Sequence, residues 1–313
     1  MDLLPSYLMI LLALTSCVGG ALWYKFFLPL RHLSSGEQRR QAFPPGASYA
    51  EAAGMPMPAG PIPVPDDQLK ISHGFYKLKK ATIAGETDGQ IFYSQFTPAN
   101  AQVEIVIAIV HGFSEHHSGM LLNMIRAYCV TFNACVIAFD MPAHGRSDGL
   151  FVYMPDWFEF CGAAEEVIEQ LALPQCKALS TDPAKPLKLM IQGLSMGGGV
   201  CATLAIQRPD MVDGMILEAP MLFVSDDIKP HWIIVSLFRH VIIKISILMT
   251  WPVAPSKDIT SKAYSDPTHI SFNKANPLAY SSKPRLASAC LLQRISFAIM
   301  ISINLLLFLG GTF

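Results

Sequence analysis

The stretch Gly193–Gly199 constrains the fold of this chain more than any other part of the sequence. It contains the pattern Gly-x-Ser-x-Gly with Ser195 at its centre, between a strand-like apolar run and a helix-forming stretch at residues 202–206. In that context Gly193 and Gly197 relieve crowding at a sharp strand-to-helix turn, and the serine hydroxyl stands clear of the sheet. Ser195 is therefore predicted to be a nucleophile; the alternative is a glycine-rich turn with an incidental serine.

Apolar, β-branched runs alternate with helical patterns through the middle of the chain. They occupy residues 103–110, 134–139 and 187–192, with a weaker run at 212–217 and an opening antiparallel pair within 74–97. Between two of the runs, Asp156 and Glu159 form a candidate helix-capping pair. Strand–helix alternation of this kind predicts an α/β fold with a mostly parallel sheet and right-handed crossovers.

Acyl transfer needs two backbone N–H groups directed at the position where an oxyanion forms. Met196, the residue after the predicted nucleophile, supplies one of them. Phe113 is the candidate for the other, because His111-Gly112-Phe113 directly follows the run 103–110 and glycine allows a close turn. The loop is alternatively a simple turn, and the His111 side chain is interpreted as packing beneath the sheet.

Three linked motifs resemble the monoacylglycerol lipase and lysophospholipase-like family of α/β-hydrolases. They are His111–His116, Asp140–Gly149 and Gly193–Gly198, in the family's order and spacing; Glu218–Met221 and Asn276–Tyr280 also resemble it. The resemblance covers roughly residues 70–292. It implies an α/β-hydrolase domain over 70–294, a helical lid at about 223–280, and a serine hydrolase acting on acyl-ester lipids such as monoacylglycerol or lysophospholipid.

The same resemblance guides the interpretation of nearby residues. The family usually has glycine at the position of Ala143, and its loop over residues 140–149 is mostly structural, so His144 is not interpreted as a base. Apolar side chains between Trp232 and Ile243 suit a long acyl chain or contact with a membrane. Ordinary packing of lid helices is the alternative for those side chains.

The family's catalytic acid and histidine are not identified in this sequence. Their order in this fold is serine, acid, histidine, and neither an acidic residue nor a histidine occurs after His269. Substitutes within the predicted lid would be His231, His240 or His269 with Asp226, Asp227, Asp258 or Asp266; the alternative is that all of them lie on a solvated lid surface. The sheet is accordingly expected to lack its last strands and to have an exposed edge at 212–217.

The two ends of the chain are apolar. Residues 1–33 contain the uncharged stretch Leu3–Tyr24, predicted to be a transmembrane segment or signal anchor, and the basic residues that follow it place the domain in the cytosol. A cleaved signal peptide, which would place the domain in the secretory lumen, and a buried helix are the alternatives. Residues 34–69 are predicted to form a semi-rigid Pro/Gly-rich linker. The divergent tail at 295–313 is either a second membrane segment or the product of an altered reading frame or unspliced intron.

Charge and cysteine content exclude several kinds of partner. A net charge of −1 and the lack of a basic run argue against nucleic acid, and nothing in the sequence indicates a metal or organic cofactor or an oligomeric state. The cysteines are scattered and odd in number, which favours buried thiols in a reducing compartment over a disulfide framework or zinc site. They are Cys17, Cys129, Cys135, Cys161, Cys176, Cys201 and Cys290.

These features give three hypotheses for the protein. The first is a membrane-anchored serine ester hydrolase that acts through an acyl-enzyme on Ser195, although an amidase or peptidase would be compatible with the same residues. The second is a catalytically inactive membrane protein that keeps the acyl pocket as a binding module. The third is a truncated chain that does not fold stably.

Overall fold

The computed structural model describes residues 35–44, 62, 64–99, 103–180, 182, 184–222, 236, 249–252, 254, 266–280 and 282–292. The predicted membrane segment Leu3–Tyr24, nearly all of the apolar part of the predicted lid and the tail at 295–313 lie outside these residues. Within the described residues, no helix combines the length and the apolar character needed to cross a bilayer.

Six strands form one mixed sheet in the order β1-β2-β4-β3-β5-β6. β1 and β2 are antiparallel, β2 and β4 are antiparallel, and the remaining neighbours are parallel. The predicted opening antiparallel pair and the mostly parallel sheet are thus confirmed. The strands are β1 (Leu69–Lys77), β2 (Gln90–Pro98), β3 (Ile105–Val110), β4 (Cys135–Phe139), β5 (Lys188–Leu194) and β6 (Gly214–Glu218).

Helices flank the sheet and connect its parallel strands. In chain order they are α1 (Gly36–Ala42), α2 (Leu122–Thr131), α3 (Trp157–Val167), α4 (Leu173–Lys177), α5 (Met196–Gln207) and α6 (Pro267–Ala275). A π-helical turn, Ile168–Ala172, joins α3 to α4, and a 3₁₀ turn, Asp66–Gln68, precedes β1. Residues 286–292 are also helical.

The central strands are buried on both faces, which explains their continuous apolar sequences. Along β3, Val106, Ala108 and Val110 pack into the core cluster that contains residues of α3 and α5. Ile107 and Ile109 point the other way, into the cluster that contains residues of α2. Both faces of the sheet therefore have their own apolar core, as a parallel α/β sheet requires.

The strand β6 lies at one edge of the sheet. Among the described residues it pairs with β5 alone, and its side chains are partly or fully exposed. The exposed edge predicted around residues 212–217 is therefore found within the described part of the chain.

The predicted capping pair of α3 is only half right. The Asp156 side chain accepts a hydrogen bond from the Glu159 N–H at 2.9 Å, which caps the helix. The Glu159 carboxylate instead accepts from the Gly85 N–H at 2.7 Å and from the Thr82 hydroxyl. Glu159 therefore ties the helix to the connection between β1 and β2.

The prediction that residues 34–69 are only a linker is wrong for their first part. Ser35 and Gln38 form a capping box that starts α1, and Arg39 on this helix is completely buried. Its guanidinium donates to the carbonyl oxygens of Gly145 and Ser147 at 2.5 and 2.6 Å. The segment is thus packed against the loop that follows β4.

Arg39 stays charged in this buried position at neutral pH. Burial lowers its pKa to about 9, although Asp140 and Asp148 favour its charged form. The guanidinium carbon lies 4.6 Å from the centre of the Phe151 ring, an arrangement in which a cation is attracted to the face of an aromatic ring. Charge-assisted hydrogen bonds and this ring contact together offset the loss of solvation.

The interpretation of all cysteines as free thiols is wrong for one pair. Cys135 opens β4 and Cys176 lies on α4; the two form a disulfide with their Cα atoms 5.7 Å apart. Both residues point into the same core cluster, so the fold brings together cysteines that no local spacing relates. Cys129, Cys161 and Cys201 are buried thiols as expected.

We predict that Arg39→Ala lowers the free energy of unfolding by about 3 kcal/mol, because buried carbonyl oxygens lose a charged donor. Urea denaturation followed by tryptophan fluorescence measures the change. Gln41→Ala, on the exposed side of the same helix, serves as the control and should change stability by less than about 0.5 kcal/mol. Equal stabilities of the two variants would mean that α1 is not held by Arg39.

Candidate active site

Ser195 lies between β5 and α5 in a backbone conformation that few residues other than glycine adopt. Its φ is +52° and its ψ is −113°, and its side chain is partly exposed. The Ser195 N–H donates to the carbonyl of Glu218 at 2.9 Å, and its own carbonyl accepts from the Met221 N–H at 2.8 Å. Strain of this kind persists where surrounding contacts fix the backbone, and it concentrates at functional sites.

The glycines on either side of Ser195 make the turn possible. A methyl group at Gly197 would collide with the carbonyl oxygen of Val110 at the end of β3. One at Gly193 would collide with the backbone of Gly197 and Gly198. Both positions therefore require glycine for close backbone contact, as the Gly-x-Ser-x-Gly pattern predicts.

The oxyanion loop, defined here as His111–His116, passes directly beside the serine. A methyl group added at Gly112 would lie 3.5 Å from the Cβ of Ser195. Phe113, which is partly buried, follows on this loop, and the fully buried Met196 begins α5. The residues predicted from sequence to surround an oxyanion are thus neighbours in space.

His111 supports the loop from beneath, as its sequence position suggested. Its Nε2 accepts from the Met141 N–H at 2.9 Å, and its Nδ1 donates to the carbonyl of Gly112 at 2.8 Å. These partners select the neutral tautomer that is protonated on Nδ1. Burial lowers the pKa of His111 to about 4, which agrees with a neutral ring.

Asp140 connects the end of β4 to the surrounding loops. Its Oδ1 accepts from Nδ1 of His117 at 2.7 Å, and its Oδ2 accepts from the Arg146 N–H at 2.7 Å. Burial alone would raise the pKa of Asp140, but the charge and hydrogen bond of His117 hold it below its usual range. The other ring nitrogen of His117 lies 2.6 Å from the hydroxyl of Ser94, which is itself 2.7 Å from His73.

The set Ser94, His117 and Asp140 has the hydrogen-bond order of a catalytic triad, yet its serine is 1% exposed. Ser94 also lies within β2 rather than on a turn. No ester can reach a hydroxyl enclosed in this way. We therefore assign the three residues a structural role, and the sequence contained no local signal for their contact.

His144 also has a structural position. Its ring is fully buried, its Nδ1 bonds to the carbonyl of Pro142 at 2.9 Å, and burial lowers its pKa to about 3. It packs edge-on against Phe113 with the ring centres 5.9 Å apart. The neighbouring Ala143, where the family usually has glycine, takes a left-handed φ of +62°, which costs about 1 kcal/mol.

Among the described residues, no hydrogen bond joins a histidine to the Ser195 hydroxyl. Their buried histidines bond to other partners, as listed above, and His116 contacts Asn276 and Ser118. Of the proposed substitutes, Asp266 caps α6 through the Thr268 N–H, and His269 lies on the same helix. The other substitutes, His231, His240, Asp226, Asp227 and Asp258, lie outside the described residues. Over the described ranges, no three His, Cys, Asp or Glu residues are grouped to hold a metal ion.

We predict that the free energy of unfolding falls steeply in mild acid, because three histidines are buried in the neutral form. Burial lowers the pKa of His111 to about 4 and those of His116 and His144 to about 3, below the unfolded value of 6.5. The unfolded chain therefore binds more protons below pH 6.5, and stability falls as pH falls. Glu115 has the opposite effect on stability. Burial raises its pKa to about 7, so at this residue the folded chain holds about one proton that the unfolded chain has lost. About two net protons correspond to roughly 3 kcal/mol per pH unit between pH 6 and 5.

Urea denaturation at pH 7, 6 and 5 measures this dependence. Ser72→Ala, a change at an exposed residue with no titrating side chain, is the control and should keep the wild-type slope. A free energy of unfolding that stays constant from pH 7 to 5 would contradict the buried, neutral state of the three rings.

Comparison with known proteins identifies the family. Residues 101–298 match the family model described as serine aminopeptidase, S33. The chain is 27% identical over 252 residues to caffeoylshikimate esterase of Arabidopsis thaliana, covering 77% of this chain and 71% of that protein. It is 26% identical over 203 residues to a monoacylglycerol lipase of Mycolicibacterium smegmatis, covering 64% of this chain and 65% of that protein.

Solved structures show the same fold. A soluble variant of monoglyceride lipase from Saccharomyces cerevisiae, in complex with a substrate analog, superposes with a TM-score of 0.55 at 17% identity, covering 77% of this chain and 71% of that chain. A thermostable carboxyl esterase from Bacillus coagulans gives 0.54 at 17% identity, with 73% of each chain covered. The resemblance to an α/β-hydrolase is thereby confirmed. Since the family model spans more than half of the sequence, the chain belongs to the serine aminopeptidase S33 family of α/β-hydrolases, a hydrolase family with monoacylglycerol lipases and esterases among the relatives of this protein.

Proposed function

We propose that this protein is a serine hydrolase that cleaves carboxylic esters of acyl lipids through an acyl-enzyme on Ser195. The observation that carries the proposal is the left-handed backbone of Ser195, with the oxyanion loop against its Cβ. A strained serine between a strand and a helix, beside a second loop with free N–H groups, is the arrangement used for acyl transfer in this fold.

In the proposed reaction the Ser195 hydroxyl oxygen attacks the ester carbonyl carbon. The carbonyl oxygen becomes an oxyanion and accepts hydrogen bonds from the N–H groups of Phe113 and Met196, each worth about 3 kcal/mol in the transition state. The C–O bond then breaks, and the alcohol leaves with a proton while the acyl group stays on the serine. Water attacks this acyl-enzyme and releases the fatty acid.

The reaction also requires a proton acceptor for the serine hydroxyl. Because the buried histidines of the described residues are bonded to other groups, the proposal assigns this role to a histidine outside the described residues. His231 and His240 are in that part of the sequence. A variant that lacks the acceptor would keep the pocket but lose reactivity, which makes reactivity the property to measure.

One observation favours an acyl-lipid substrate over a polar one. Phe151, Val152 and Tyr280 form a buried apolar cluster, and Phe113 of the oxyanion loop packs against it. These side chains make the surroundings of Phe113 apolar, which suits an acyl chain. The names of the relatives, monoacylglycerol lipase and caffeoylshikimate esterase, both denote ester hydrolases and support an ester as the substrate class. Monoacylglycerol and lysophospholipid are accordingly the proposed substrates.

We predict that a fluorophosphonate probe labels the full chain at Ser195 and that Ser195→Ala removes the labelling, because the probe requires an activated serine. Ser72→Ala changes an exposed serine on β1 and is the matched control, which should label like the wild type. Absence of labelling in a wild-type protein that shows cooperative unfolding would overturn the proposal in favour of a non-catalytic acyl-binding protein.

We also propose that the protein attaches to membranes through Leu3–Tyr24. The residues between this stretch and α1, 25–35, reach at most about 38 Å when fully extended, so α1 and the packed domain would stay near the bilayer surface. The full chain should remain in the membrane pellet after alkaline carbonate extraction, and a variant lacking residues 1–33 should appear in the supernatant. Full-length protein in the carbonate supernatant would contradict the anchor.

A further inference from the structure

The segment Asn273–Tyr280, called here the clamp segment, closes on the oxyanion loop. It comprises the end of α6 and the turn that follows it. The N–H of Tyr280 donates to the carbonyl of Ser114 at 2.8 Å. Ser114 has a left-handed φ of +70°, so this hydrogen bond fixes the loop at a strained residue, directly after Phe113.

Two asparagine side chains of the clamp segment hold the next two residues of the loop. The Asn273 amide donates to Oε1 of Glu115, whose other carboxyl oxygen is shut off from solvent and has no hydrogen-bond partner among the described residues. The Asn276 amide nitrogen lies 3.1 Å from Nε2 of His116. The Asn276 oxygen also accepts the N–H groups of two residues of its own turn, Leu278 and Ala279, at 2.9 Å each. Asn276 thus shapes the turn and binds the loop at the same time.

Aromatic packing completes the contact at Phe113. The rings of Phe151 and Tyr280 meet edge-on with their centres 5.1 Å apart, and Phe113 packs against this pair. Phe151 is itself fixed, because Nε of Arg285 donates to its carbonyl at 2.5 Å and the guanidinium of Arg39 lies over its ring. The clamp segment therefore contacts Ser114, Glu115 and His116 directly, and its Tyr280 belongs to the cluster against which Phe113 packs.

We propose that the clamp segment positions the Phe113 N–H for oxyanion binding, with Asn273 and Asn276 as positioning residues. The inference rests on the proposed function of Ser195. A backbone donor helps the transition state only when it is held where the oxyanion forms, since hydrogen-bond strength falls steeply with poor geometry. The loop reaches this geometry by contacts from a segment about 160 residues away in the chain.

A positioning role and ordinary packing have different effects on the kinetics of probe labelling. A donor that is held loosely slows the chemical step, whereas noncovalent binding of the probe does not depend on that donor. Loss of the clamp should therefore lower the rate constant of inactivation by a fluorophosphonate, kinact, and leave the half-saturating probe concentration, KI, unchanged. A residue that only stabilises the fold would change neither constant in the folded protein.

The first experiment is hydrogen exchange of the full-length protein, measured on a peptide that covers residues 111–117. In the double variant Asn273→Ala/Asn276→Ala, exchange of this peptide should rise about tenfold, while peptides from β3 and β5 remain as in the wild type. Lys274→Ala lies between the two positions on an exposed side of the helix and is the matched control. Unchanged exchange in the double variant would overturn the proposal.

The second experiment measures kinact and KI for the same variants. We expect kinact to fall about tenfold at constant KI in the double variant and to stay at the wild-type value in Lys274→Ala. Asn276→Asp keeps the oxygen that accepts from the turn but loses the amide group that contacts His116, so its kinact should stay below the wild-type value, as in Asn276→Ala. A raised KI at constant kinact would overturn the positioning role.

The two experiments separate this inference from the proposed function. If the wild-type protein does not react with the probe, the proposed function fails, and hydrogen exchange still decides whether the clamp segment holds the loop. If the double variant loses exchange protection throughout the sheet, the single variant Asn273→Ala replaces it. General loss of protection in that variant as well would show a structural role and overturn the proposal.

Discussion

The close approach of α5 to the end of β3 is the constraint on which the rest of the site depends. The backbone of Gly197 lies so near the Val110 carbonyl that no side chain fits between them. This contact brings the start of the helix, and Ser195 with it, beside the loop that follows β3. If the helix moved outward to admit a Cβ atom, the serine and the oxyanion loop would separate, although each local conformation remained possible.

A buried carboxylate organises the other side of that loop. Asp140 is fully buried, and it accepts hydrogen bonds from His117 and from the backbone of Arg146. The next residue, Met141, then donates to the ring of His111 beneath Gly112. A charged group in a dry interior is tolerated when its oxygens accept hydrogen bonds. In this protein the hydrogen-bonded carboxylate orders the loop at residues 140–149, which supports the candidate active site.

Local sequence patterns were enough to predict the sheet and the serine turn. Continuous apolar runs identified β3, β4 and β5 because those strands are buried on both faces, and glycine spacing identified Ser195. No local sequence pattern indicated the contacts between residues that lie far apart in the chain. Arg39 binds Gly145, Cys135 pairs with Cys176, and Asn276 binds His116 across long stretches of chain. For the same reason Asp156 was identified as a cap, whereas the partners of Glu159 were missed.

The helix α1 was missed for a related reason. Its seven residues lie in a Pro-rich region and carry several charges, so neither periodicity nor hydrophobicity marks them. Arg39 of this helix is buried because it donates to carbonyl groups of the loop at residues 145–149, and these partners are not evident from the sequence of the helix itself. The base for Ser195 could not be predicted because no histidine or acid follows the lid in the expected order, and the described residues leave its place open.

The bond between Cys135 and Cys176 relates the interior of the domain to the redox state of the compartment that contains it. Glutathione keeps thiols reduced in the cytosol, while the secretory lumen permits disulfides to persist. A domain that faces the cytosol would therefore contain two adjacent thiols between β4 and α4, and a lumenal domain would contain the cross-link. The oxidation state of this one buried pair therefore reports the compartment of the domain, and mass spectrometry can measure it without any added tag.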